Sequence, residues 1–140
     1  MKKLLLLSLS LLLFISCDTD NDEYNYYFEI LPVESVDIPE EFVLGETYPI
    51  TVSYNKPTSC YVFRNLYYAK DNNERTVAPI MTVYENNNCE TLEDFTEDAT
   101  FNFIVTSNGS YIFKFWQGED ENGDDIYLTY EVPVVEEATN

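Results

Sequence analysis

SYIFKFWQGEDENGDDIYLTYEVPV, residues 110–134, holds two alternating runs around one acidic loop. Tyr111, Phe113 and Phe115 alternate with Ile112, Lys114 and Trp116. Beyond an acidic loop, Ile126, Leu128, Tyr130 and Val132 alternate with Tyr127, Thr129, Glu131 and Pro133. A period of two sends successive side chains to opposite faces, so each run reads as a strand with one apolar face. The polar loop between them closes a hairpin.

The same pattern recurs toward the N-terminus. Phe101, Phe103 and Val105 alternate with Asn102, Ile104 and Thr106, and Asn108-Gly109 after them is a hairpin turn signal. Tyr48, Ile50, Val52 and Tyr54 put four apolar side chains on one face. Residues 27–38 are rich in β-formers but carry Pro32, which suits a kinked edge strand. Residues 60–70 and 76–85 read as a long hairpin around the polar loop 71–75. Folded between Glu74 and Arg75, that hairpin sets Cys60 opposite Cys89, Arg64 against Glu85, Leu66 against Val83 and Tyr68 against Met81. Pro79 then requires a free edge or a bulge at its position. Thr91 with Asp94 has the spacing of a capping box, which predicts one helical turn with Leu92 and Phe95 facing inward. Seven short strands with almost no helix predict one all-β domain, an antiparallel sandwich over 27–137.

The N-terminus carries an address. Lys2 and Lys3 precede a run over 4–15 that is apolar except for Ser8 and Ser10, followed by Ser16 and Cys17. Twelve residues fit the core of a signal peptide, whereas a bilayer-spanning helix needs about 20. LFISC (13–17) resembles the lipobox of bacterial lipoproteins. That resemblance implies cleavage of residues 1–16, lipid on the Cys17 sulfur and acylation of the new amino end. A plain secretory leader and an uncleaved signal anchor are the alternatives; the Ser16–Cys17 junction, where the apolar run meets an acidic one, speaks for the lipobox. Asp18, Asp20, Asp22 and Glu23 follow at once. They resemble the acidic export signal of Bacteroidota surface lipoproteins, which implies a tether over 17–26 and display on the outer face of the outer membrane. The plain alternative is a solvated spacer.

Loss of Lys2 and Lys3 with the leader leaves five basic side chains against 26 acidic ones, a formal balance of −21. Such a chain lacks the basic patch that phosphate binding requires, so nucleic acid is excluded as a partner. Twelve Tyr, one Trp and the nine Phe less Phe14, which leaves with the leader, supply the aromatic bulk of a folded core. With Cys17 taken by lipid, Cys60 and Cys89 remain as an even pair in an oxidising compartment, which predicts a disulfide over two free thiols.

The strand layout is similar to immunoglobulin-like domains of bacterial surface lipoproteins, whose last hairpin often has the form of residues 110–134. The cysteine pair departs from antibody domains, where the bridge joins two sheets around a buried Trp.

Two constellations and one absence bear on chemistry. Asp120, Asn122 and Asp124 have the alternate spacing of a calcium loop, with Glu131 at the twelfth position, but the glycine falls at the fourth position instead of the sixth. The competing reading is a solvated turn on Asn122-Gly123. Trp116, flanked by Lys114 and Gln117, and Tyr127, Tyr67 and Tyr84 would form a glycan platform if they lie on outer sheet faces; the alternative is cross-strand packing. The chain has no His, which removes the usual general base and the triads built on it. The sequence therefore favours a noncatalytic binding or structural module on the cell surface, contacting a glycan or a surface protein. A glycan-binding accessory of a polysaccharide uptake system is the alternative, and a small carboxylate-based hydrolase the remotest.

Overall fold

The computed structural model describes residues 25–85 and 88–136. Ten strands run through them: β1 (Tyr26–Ile30), β2 (Val33–Asp37), β3 (Phe42–Val43), β4 (Thr47–Asn55), β5 (Tyr61–Asp71), β6 (Glu74–Tyr84), β7 (Thr96–Ile104), β8 (Tyr111–Glu119), β9 (Asp125–Val132) and β10 (Val134–Val135). The fold is all-β, with sheets packed on one another around a single core. The leader over 1–16, Cys17 and the acidic stretch Asp18 to Glu23 lie outside the described residues. β1 starts one residue inside the expected tether.

The larger sheet holds β5, β6, β8, β9 and β1, and the smaller one runs β2-β4-β7. β6 is its organising strand. β5 covers one edge along almost its whole length; the other edge is shared, with β8 against Glu74–Val77 and β1 against Ile80–Tyr84. Pro79 sits where the partner changes. A proline has no N–H to give, so a central strand accommodates one only where no neighbour asks for it. Its carbonyl still accepts from the Leu31 N–H at 3.1 Å.

The core forms where the two sheets face each other. Ile50, Val52 and Tyr54 of β4 are buried, as are Tyr111, Phe113 and Phe115 of β8, so the alternations read along these strands are the core faces. Phe103 of β7 meets Tyr111 at 4.8 Å and Phe113 at 5.0 Å between ring centroids, both edge-on. Phe42 completes this group at 5.3 Å from Phe103. It comes from a two-residue strand too short for any periodicity to show, held parallel to β10.

Several local expectations are corrected. β7 and β8 belong to different sheets, so Asn108-Gly109 lies in an intersheet crossing and not in a hairpin. The apolar faces of the two strands bury each other only across the sandwich. The crossing is fixed by the Tyr111 hydroxyl, which accepts from the Thr106 and Ser107 N–H groups at 3.1 and 2.9 Å. Pairing is not antiparallel throughout: β6–β8 and β3–β10 are parallel. The β5–β6 hairpin turns at Asn72-Asn73, pairing Asp71 with Glu74, Leu66 with Pro79 and Tyr68 with Val77. Asn72 has φ 50°, and asparagine tolerates that left-handed conformation, so the turn is tighter than the expected loop. Arg64 falls at a bulge and lies 4.2 Å over the Phe28 ring, away from Glu85.

The Cys60–Cys89 disulfide is formed, with its Cα atoms 5.4 Å apart. It closes not through the hairpin register but through the chain beyond β6. There Ser59 N–H donates to the Glu90 carbonyl at 2.9 Å, and Thr58 bridges Thr91. Residues 91–95 make no helical turn: Asp94 has φ 54°, which breaks a helix, and the Leu92 N–H is drawn to the Pro57 carbonyl.

Candidate functional site

The outward face of the larger sheet carries a cleft of about 380 Å³ at the point where β6 exchanges β8 for β1. Tyr67 of β5 and Trp116 of β8 line it beside Tyr127 of β9, with Ile30, Thr76 and Ala78 also in the lining. Tyr67 stands opposite Ala78 and Trp116 opposite Tyr127, so pleating alone brings the three aromatics to one face. Ala78 is 2% exposed and ends at a methyl. A small residue between large ones leaves a depression, and this volume is within the range of small-ligand sites, about 300–1,000 Å³.

The polar side of the cleft is built by a bulge. Between Trp116 and Gly118 the β8–β9 register slips by one residue, and Gly118 takes φ 110°, a conformation that L side chains rarely adopt. The slip returns Glu119 opposite Asp125, and both line the cleft with Trp116. The extra residue, Gln117, turns away and donates from Nε2 to the Val33 carbonyl at 3.1 Å, so it is not part of the platform.

Asp125 ties the aromatics together. Trp116 Nε1 donates to its Oδ1 at 2.7 Å, and the Tyr127 hydroxyl donates to its Oδ2 at 3.1 Å. A carboxylate has about four acceptor positions, so two remain for a ligand. Both rings are thereby fixed before any ligand arrives, which spares the ordering cost of binding. Burial, then the Asp125 contact, pushes the Tyr127 phenol above its usual range. Lys114 shares this face but is outside the lining. Its ammonium is 2.6 Å from Glu74 Oε2, and that bond raises its pKa. Tyr84 packs beside Tyr26 at 6.2 Å, apart from the cleft.

Trp116, Tyr127 and Tyr67 thus line one cleft, Lys114 lies on the same face close enough to interact electrostatically with Tyr127 but outside the lining, and Gln117 and Tyr84 are elsewhere. Asp125 and Glu119 escaped sequence reasoning. A readable signal existed: with Asp120 and Asp124 closing the turn, Glu119 and Asp125 are the first facing pair.

The loop of Asp120, Asn122 and Asp124 is closed on itself. Asp120 Oδ1 accepts from the N–H groups of Asn122 and Asp124 at 2.8 and 3.0 Å. The Asp124 and Asn122 amides hold the Asp120 carboxyl below the usual carboxylate range. Gly123, at φ 84°, donates to the Asp120 carbonyl at 3.0 Å. Among the described residues no three His, Cys, Asp or Glu side chains are grouped to hold a metal ion.

A second cleft, about 480 Å³, opens between the sheets where β5 and β6 face β7. Arg75 lines it at 4% exposure, the one charged side chain that is buried among the described residues. Its Nη1 donates to the Asn72 carbonyl at 2.9 Å and the Glu74 carbonyl at 2.6 Å, and its guanidinium lies 5.0 Å from the Tyr111 ring centroid. Burial raises the pKa of the neighbouring Tyr68 phenol, an effect that Arg75 partly opposes.

No family model matches the chain, no curated protein matches it, and no solved structure matches it.

Proposed function

We propose that this protein is a noncatalytic, lipid-anchored module of the bacterial cell surface that binds neutral glycans in the cleft of Tyr67, Trp116 and Tyr127. The observation that carries the reading is Asp125, which holds two aromatic side chains in place and keeps acceptor capacity free beside them. Sugar rings present apolar C–H faces that stack on aromatic surfaces and hydroxyls that need acceptors; the cleft offers both within one depression. The surrounding charge suits an uncharged ligand, since anionic polymers meet a strongly acidic protein. Without His, and with Asp125 engaged as an acceptor from two donors, binding is better supported than hydrolysis.

A panel of immobilised neutral oligosaccharides tests the reading. Binding should be seen with the wild type and be lost in Trp116→Ala and Asp125→Ala variants that retain their thermal midpoint. Binding that persists in both variants would remove the cleft from the function, and turnover of a bound glycan would replace the binding role by hydrolysis. The anchor is tested separately: Cys17→Ala should move the protein out of the detergent phase.

A further inference from the structure

In the intersheet cleft two cations face each other, and the Arg75 guanidinium is met by the Phe103 and Tyr111 rings and by backbone carbonyls but by no carboxylate of the described residues. Lys70 and Arg75 are directly paired across β5 and β6, and both line the cleft. Like charges placed opposite each other on a sheet repel, and here one of them is buried. Acids are abundant, yet among the described residues the ion pairs are Lys56 with Glu97 and Lys114 with Glu74. Neither Lys70 nor Arg75 has a carboxylate within 4.0 Å in that set. The adjacent Glu74 is committed to the opposite face of the sheet, where it holds Lys114. The cleft's remaining walls are largely apolar, with Leu66, Phe101, Phe103 and Ile104 among them.

We infer that this cleft is a second ligand site, for a carboxylate carried on an apolar body, such as a medium-chain or aryl acid. The carboxylate would sit between the Lys70 ammonium and the Arg75 guanidinium, relieving their repulsion, and the apolar body would cover Leu66, Phe101 and Phe103. Arg75 suits the role because its planar fork matches a carboxylate, and its position is already fixed by the Asn72 and Glu74 carbonyls. The site is on the inner side of the larger sheet, opposite the aromatic cleft, so its ligand does not compete with a glycan.

The test uses the full chain in phospholipid nanodiscs, with empty discs as the background. Octanoate labelled with ¹³C at its carboxyl should show a saturable shift that acetate and octanamide do not displace, since one lacks the apolar body and the other the charge. Lys70→Gln, a change at an exposed position, should weaken binding about tenfold, the scale of one charge-assisted contact. Arg75→Gln should abolish it. Absence of saturable binding above empty discs would overturn the inference. So would displacement by octanamide at matching concentration, or unchanged affinity in Lys70→Gln should Arg75→Gln fail to fold.

Discussion

Replacing Cys60 and Cys89 together by serine should destabilise the domain by about 3.6 kcal/mol. The two cysteines are 29 residues apart in sequence. Cross-linking a loop of that length removes roughly 12 cal/mol/K from the unfolded ensemble in the chain-entropy relation, which at 25 °C gives the stated figure. The native state should be little altered. The segments that the bridge joins are also held by the Ser59–Glu90 backbone bond, by the Glu90 N–H donating to the Ser59 hydroxyl at 3.0 Å and by the Leu92–Pro57 bond. For a domain of this size one kcal/mol corresponds to about 3–6 °C, so the midpoint should fall by roughly 10–20 °C. Calorimetry of the wild type, the double serine variant and the reduced wild type measures this directly. A loss under about 1 kcal/mol would show that the bridge does not stabilise the domain by constraining the unfolded chain, and two thiols alkylated in the native oxidised protein would show that it is not formed.

Phe42→Ala should cost about 3–5 kcal/mol, since the ring is fully buried among Phe103, Tyr111 and Phe113; a denaturation midpoint near the wild type's would show that β3 is not part of the core. Stability should decline above about pH 10, the ordinary phenol range. Burial, with Glu97 beside Tyr54 and Glu29 beside Tyr61, raises both phenols in the folded state. The native protein then retains protons that the unfolded chain has released, and stability present below that pH is lost as pH rises, by at most about 1.4 kcal/mol per unit for each phenol. Tyr54→Phe should flatten this slope; an unchanged slope would contradict the assignment. Calcium should stabilise the domain no more than magnesium at equal concentration, because Asp120 is already bonded to its own loop amides. A calcium-specific shift that disappears in Asp124→Ala would make the loop a metal site.

What the sequence made legible follows a physical division. Strands whose two faces meet different environments declare themselves by alternation, and β4 and β8 place their apolar residues where that alternation puts them. Their partners were not legible, because period two gives a strand its face and not its neighbour. Asn108-Gly109 is as good a turn between sheets as within one, and only burial of Phe103 against Tyr111 and Phe113 separates the two outcomes. A register that sets the cysteines opposite each other misplaces the hairpin; in the fold Cys89 reaches Cys60 from outside the β5–β6 pairing. In the aromatic cleft, residue types pointed to Trp116 and Tyr127. The bulge at Gly118, which brings Glu119 level with Asp125, depends on one backbone conformation and has no residue pattern of its own.

Trp116 is the sole tryptophan of the chain, so its emission reports on the aromatic cleft alone. Titration with the neutral oligosaccharide that the wild type binds most strongly on the panel should give a saturable change in that emission. Its midpoint should match the affinity from calorimetry, and Tyr67→Ala should weaken both together. Calorimetric binding with unaltered Trp116 emission, or no binding by any oligosaccharide of the panel, would contradict the assignment of this cleft as the glycan site.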